Sequence, residues 1–383
     1  MRMLFVAGAI GLAVFEAANV YFIMPMPGSQ RLPSIDVAYA LYQWRWLARA
    51  LCGALMLIGL PAAWRVSSWR VGFVPALLLI AGAATYAFNF VMSADHLFRP
   101  PTVVAMKPRA ENRVALDRLV VGIEIKGEAR AYPLQYIGYH HQVRDIAAGQ
   151  EVLVSYCTVC RTGRVFTPQV NGVSEQFRLV GMDHFNAMLE DATTGSWWRQ
   201  ANGEAIAGPR RGTLLPELPS RQVTLATWFA LYPHSLVMQG DPAFTKEYAM
   251  DYAFERGTSR KALTGTDTTS WGDKSWVVGI ARKGSAKAYD WNRLKRERVI
   301  NDEIDGSPIV LVLAQDGTSF FAFERPDVST RFSVRHDSLI ATTDAVAAFA
   351  FNGKGATGTL RPINASQEFW HSWRAFQPGT ATY

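Results

Sequence analysis

The chain has 383 residues, 49% of them hydrophobic and 19% charged, enough for a sizeable core spread over roughly two to three domains, which excludes a disordered polymer. Its formal net charge is +7, yet lysine and arginine are scattered and no run of five or six basic residues occurs, so nucleic acid is not an expected partner. Of the three cysteines, Cys52 sits in an apolar, helix-like stretch, which leaves Cys157 and Cys160 as the soluble thiols.

Residues 3–24, 47–64 and 73–92 are apolar runs long enough to cross a bilayer as helices. A signal peptide does not fit the first: its apolar stretch is too long, it lacks a small-residue cleavage pattern, and two more spans follow. Glu16 and Asn19 lie three apart on one face of that span, where polar groups look for a partner helix or a polar cavity, so a membrane-protein partner is expected there beside the lipid bilayer itself. Pro25, Pro27 and Gly28 then make a turn at the membrane surface, placed to touch the soluble part. Charge alone does not orient the chain, because Arg2, Arg65 and Arg70 on one side balance Arg31, Arg45 and Arg49 on the other.

Pro100, Pro101 and Pro108 mark a linker into a soluble region in which residues 119–124, 151–156, 164–170, 276–281, 308–313 and 319–324 read as strands. Only two short helices are expected, one capped by Thr224 and one following Asp344. Residues 120–132 (VVGIEIKGEARAY) align without gaps to 277–289 (VVGIARKGSAKAY) with nine of thirteen identities, a duplication. The expected fold is α+β, mainly β: three transmembrane helices in 1–95, a linker in 96–114, a first β-rich repeat in 115–240, a second linker in 241–274, and a second repeat in 275–383. In that register Cys157 falls on Ala314, Cys160 on Gly317, and in a second block Glu204 falls on Lys354. The fold unit therefore does not need the thiols, which assigns the chemistry to the first half and makes the second a scaffold or cover.

A Cys-x-x-Cys pair serves a redox disulfide, half of a metal site or a structural crosslink. The residues after Cys160 read as strand rather than helix, which speaks against a thioredoxin-like site and favours a soft metal: two thiolates alone suit copper(I), while zinc needs further ligands. His184 is the candidate third ligand, with His140 and His141 behind it. Asp191 and Glu204, flanking a tight turn and the Trp197–Trp198 pair, are candidate acid/base groups; as a separate reading they serve an enzyme near which the thiols merely lie. A third reading is a ligand- or protein-binding module with a structural disulfide. Phosphate-cradling glycine loops, nucleophile elbows and zinc-protease helices do not occur in the sequence.

The run 152–237 resembles a bacterial family catalogued as domain of unknown function 3179. The resemblance rests on Tyr156, Cys157, Cys160, Val165, Phe166, Phe177, Gly181, Asn186, Asp191, Thr194, Ser196, Trp198, Gly203, Glu204, Ala205, Ile206, Gly208, Trp228 and Pro233. Thr158 replaces the proline of the family pattern, Ala192 replaces a basic residue, and His184 lies outside it. The resemblance implies an exported or membrane-anchored protein, hence a bacterial inner-membrane location, an N-terminus inside and a periplasmic soluble region where a vicinal pair can be a disulfide.

Overall fold

The computed structural model describes residues 1–282, 284–342 and 347–383. Three helices are long and apolar enough to cross a membrane: Arg2–Tyr21, Arg45–Trp64 and Trp69–Val91. Small residues let the first two approach closely where lipid offers no hydrophobic drive: a Cβ on Gly8 would stand 2.6 Å from the Cys52 carbonyl oxygen, and one on Gly59 2.2 Å from the Phe5 nitrogen. Glu16, fully buried, finds its partners within the chain. Arg49 donates to it through Nε at 2.7 Å and Nη2 at 2.9 Å, and Asn89 donates to it at 2.9 Å while accepting from Arg49 at 2.6 Å. Each span thus supplies one member of a charge-assisted network.

Compactness divides the chain into two units. The first is Met1–Arg99 with Gln176–Arg199 and Glu204–Thr213. Its sheet is four-stranded and antiparallel, in the order Ala205–Ala207, Trp197–Arg199, Asn186–Asp191, Phe177–Asp183. The turn after the first span does touch this sheet, as its position led one to expect. The Met182 N–H donates to the Ile23 carbonyl at 2.7 Å, and Gly181 is needed because a Cβ there would lie 2.5 Å from that oxygen. The short helix Ile35–Gln43 sets Tyr39 edge-on against Trp197, with ring centroids 5.0 Å apart.

The second unit, Pro100–Glu175, Gln200–Gly203 and Leu214–Tyr383, is built on the duplication. Each half opens with a hairpin, Leu119–Ile125 with Glu128–Pro133 in one and Trp276–Arg282 with Ser285–Asp290 in the other. A short helix follows, Leu134–His140 or Trp291–Glu297. Next comes a three-stranded meander, Gln142–Ala147, Gln150–Cys157 and Thr162–Phe166 in the first half, Val299–Ile304, Ser307–Leu313 and Phe320–Glu324 in the second. Late strands Arg221–Thr224 and Ser366–Phe369 return antiparallel to the hairpins and lead into the helices Leu225–Leu231 and Trp370–Phe376.

Side-chain detail repeats as well. Tyr132 donates to Asp145 at 2.8 Å and Tyr289 to Asp302 at 2.9 Å. The hairpin glycines, Gly122 and Gly279, each lie beneath a tryptophan: a Cβ would come within 2.4 Å of the Trp228 ring and 2.1 Å of the Trp373 ring. Each indole N–H then reaches a hydroxyl seven residues on, Ser235 at 2.7 Å and Thr380 at 2.8 Å. His141 (φ 60°) and Arg298 (φ 65°) both end their helix in the left-handed region, so the histidine there answers a position that the other half fills with arginine.

The helix expected at Thr224 is present, its cap hydroxyl accepting from the Thr227 N–H at 3.2 Å. The one expected after Asp344 begins on residues outside those described, and Ala348–Ala350 is a strand. The sequence reading passed over Leu134–His140, Trp291–Glu297 and Trp370–Phe376, each seven residues long and too short to display a helical period. The halves interlock: Val120, Ala131, Trp228 and Phe229 of the first share a core with Val310, Val312, Phe321 and Phe323 of the second.

Candidate functional site

The thiol strand Gln150–Cys157 is buried through its second half because its apolar residues pack between neighbouring strands, and the chain turns at residues 158–161 before returning as Thr162–Phe166. Arg161 makes that turn with φ at 58°, an uncommon conformation for a residue with a Cβ, and it is held there by its guanidinium. Nε donates to Gln367 at 2.8 Å, the two Nη groups to the carbonyls of Phe254 and Glu255, and the plane lies 3.7 Å from the Trp276 ring centroid. Thr158, standing where the family pattern has proline, faces Gly138, on which a Cβ would lie 3.2 Å from the threonine methyl.

The turn delivers both sulfurs to one place. Cys157 and Cys160 are each 0% exposed, and the disulfide that an exported location would allow does not join them. They share a hydrogen bond, and the Ser372 hydroxyl also bonds to Cys160. Burial, followed by the neighbouring Cys157, pushes the Cys160 thiol well above its ordinary range.

Much of what surrounds the thiols comes from the second half, the expected scaffold or cover. The Phe369 N–H donates to the Cys160 carbonyl at 2.9 Å, docking the helix Trp370–Phe376 on the turn. Ser372 on that helix donates to Glu368 at 3.1 Å and lies 3.4 Å from the Thr162 hydroxyl. Glu368 in turn accepts from Arg164 at 2.6 Å and Ser366 at 2.8 Å. Lys274 reaches in from the linker, donating to the carbonyls of Val159 at 2.9 Å and Leu263 at 2.7 Å, with its Nζ 3.3 Å from His371 Nε2. Burial lowers the Lys274 pKa, and the two sulfurs work against that by favouring its charge. Burial, with Lys274 beside it, brings His371 down to about 4, so it is neutral at ordinary pH.

The related place in the other half shows what the fold does without chemistry. There Ala314 and Gly317 stand for the cysteines, and Asp316 ties the turn shut. Its carboxylate accepts from the hydroxyls of Thr224 and Thr227, each at 2.9 Å, from Ser319 at 2.6 Å, and from the N–H groups of Thr318 and Ser319. Thr224 and Thr227 flank the start of the first half's tryptophan helix as Phe369 and Ser372 flank the second's. One copy of the interlock is a closed polar knot; the other holds two thiols, an ammonium and an imidazole.

Asp191, Glu204 and His184 belong to the first unit. Asp191 accepts from the Thr194 N–H at 2.6 Å, from its hydroxyl at 2.9 Å and from the Trp198 indole at 2.8 Å, which ties a tight turn. Glu204 pairs with Arg199 at 3.1 Å, and Arg199 also meets Asp183 at 2.8 Å. His184 bonds to Asp183 at 2.6 Å, and that bond raises its pKa. Asp183, Arg199, Glu204 and His184 thus form one chain of ion pairs, with Asp191 in a separate knot. His140, in the second unit, is buried against Tyr248 at 2.8 Å. Among the described residues no group of three or more His, Cys, Asp and Glu side chains converges as a metal site.

Lys274, Glu368, His371 and Ser372 carry no local signal because they lie more than a hundred residues from the thiols, Lys274 in the linker and the others in a half without cysteines. One signal was available: Trp373 repeats the place of Trp228, so the residues just before it begin the helix that meets the opposite half's turn.

A family model described as protein of unknown function (DUF3179) matches residues 99–380. No curated protein and no solved structure matches the chain.

Proposed function

The chain belongs to the family of proteins of unknown function DUF3179, and from that premise we propose that it is a membrane-anchored protein whose Cys157–Cys160 pair takes up a soft monovalent cation of the copper(I) type. The observation that carries the reading is the pair of touching, buried thiols with one ammonium beside them, at a turn where the other half has Ala314 and Gly317. Two thiolates complete a linear copper(I) site. Binding releases two protons and leaves a net charge of minus one, which Lys274 is placed to offset. His371 stands at the rim of the turn, with its Nε2 3.3 Å from the Val159 carbonyl. Zinc is disfavoured because it asks for further converging ligands.

The soluble part is proposed to lie outside the cytoplasm. Arg49 is committed to Glu16 inside the helix bundle, so it does not count as a loop charge, and Arg2, Arg65 and Arg70 then outweigh Arg31 and Arg45. The second reading is a dithiol–disulfide couple, favoured by the direct thiol contact, in which the two thiols pass two electrons and two protons to a partner disulfide.

The test is anaerobic copper(I) titration of the reduced full chain in detergent against a chromogenic chelator. One ion per chain is expected, lost on Cys157→Ser or Cys160→Ser, and held about tenfold less tightly by Lys274→Gln, the order of one screened charge contact. Uptake that survives the double serine variant would refute the site. A folded, reduced protein that takes no copper but titrates as a two-electron couple would hand the site to the second reading.

A further inference from the structure

A cavity of about 150 Å³ lies in the first unit where the spans emerge toward the sheet; its walls include Asn19, Tyr42, Arg45, Phe88, Asn89 and Arg178. Two of these groups are unmatched. Asn19 is 6% exposed, and its Oδ1 is buried with no hydrogen-bond partner. Arg45 donates only to the Tyr42 carbonyl and stacks on the Tyr42 ring, with its guanidinium carbon 3.7 Å from the centroid; it has no carboxylate partner among the described residues. Arg178, by contrast, is neutralised by Asp95 at 2.9 Å and Glu190 at 2.7 Å, and Asn89 is engaged with Glu16 and Arg49.

The depth of the cavity is marked by the residues beside Arg45. Trp44 and Trp46 are 65% and 67% exposed at the start of a span, the place of an interfacial aromatic belt. Val20, Ile23, Met24, Phe88, Met92, Ala94 and Val180 form the apolar part of the wall; Ser93, Asp95 and His96 complete it, with the Asp95 carboxylate paired to Arg178. A cation at headgroup level, a buried amide and an apolar wall fit an anionic amphiphile. The volume is well above what a single water requires, so a phosphate group has room.

We propose that this cavity binds the phosphate headgroup of an anionic phospholipid, with Arg45 pairing the phosphodiester and Asn19 hydrogen-bonding the glycerol or ester groups below it. The inference is independent of the thiol reading, since every residue it uses belongs to the membrane unit.

The test uses the full chain in a neutral detergent and short-chain phosphatidylglycerol as the probe, read by thermal shift and by native mass spectrometry. Phosphatidylglycerol is expected to raise the melting temperature in a saturable way and to remain bound as one adduct. Arg45→Gln and Asn19→Leu should each weaken the midpoint tenfold or more, and Arg45→Lys should retain most of the binding. Equal stabilisation by inorganic phosphate at the same concentration would make the ligand a free anion and overturn the lipid assignment. So would a neutral quinone that competes with the lipid. Wild-type midpoints in both Arg45→Gln and Asn19→Leu would overturn the site itself, and the Arg45→Lys protein guards against reading a misfolded variant as lost binding.

Discussion

His141 and His371 carry a pH dependence that can be read from their surroundings. Burial brings both to about 4 in the folded chain, against an ordinary value near 6.5. Between those values the unfolded chain holds protons that the folded one does not, so stability is full above about pH 6.5 and is lost as pH falls toward 4. The loss expected is about 2–3 kcal/mol for the fully buried His141 and less for His371, which is partly exposed. Melting temperature measured across that window checks it, with His371→Gln removing its share of the slope; a flat profile from pH 6.5 to 4 would contradict the burial argument. The raised Cys160 thiol means that uptake of copper(I) strengthens as pH rises, since protons must leave the sulfurs. Binding constants measured at pH 6, 7 and 8 should show it.

The tryptophan helices are the elements on which the interlock depends. Each is only two turns long and has no helical stability of its own, so it is held by an indole seated on a glycine and by a hydroxyl seven residues on. Adding one methyl at either glycine forces the ring off its strand. Gly122→Ala and Gly279→Ala should each cost about 1–3 kcal/mol by overpacking, seen as a shifted denaturation midpoint. The two differ in what else they move. Gly279→Ala displaces the helix bearing His371 and Ser372, so it should also weaken copper(I) binding, whereas Gly122→Ala should disturb the Asp316 knot and leave the thiols alone. Equal effects of both on metal uptake would argue against the second half's helix as part of the site.

Across the full chain, the family match begins at residue 99, which invites cutting the protein there. The compact units advise otherwise. The sheet Phe177–Ala207 donates a backbone hydrogen bond to the link after the first span, and Trp197 is buried beside Tyr39 and Tyr42. A chain starting at Pro100 should therefore expose that tryptophan and the edge of the Phe177–Asp183 strand, and elute as aggregate in size-exclusion chromatography while the full chain in detergent is monodisperse. A monodisperse truncation with an unchanged melting temperature would show that the sheet does not need the membrane unit.

Periodicity, apolar run length and internal identity are local properties, so the three spans, the strands on either side of the thiols and the duplication were all legible in the chain as written. The resemblance to the family was legible too, because it rests on residue order. Helices of seven residues were not, since two turns hold too little pattern to separate them from loops. Nor was the company of the thiols. Glu368, His371 and Ser372 reach Cys157 and Cys160 only because each half lays its late strand and helix against the other half's turn, and Lys274 only because the linker passes the same turn; such an exchange is set by packing between distant segments rather than by any neighbouring residue. Tertiary structure likewise decided the fate of Glu16, whose charge asks for a partner in any membrane but which takes Arg49 and Asn89 only once three helices are side by side.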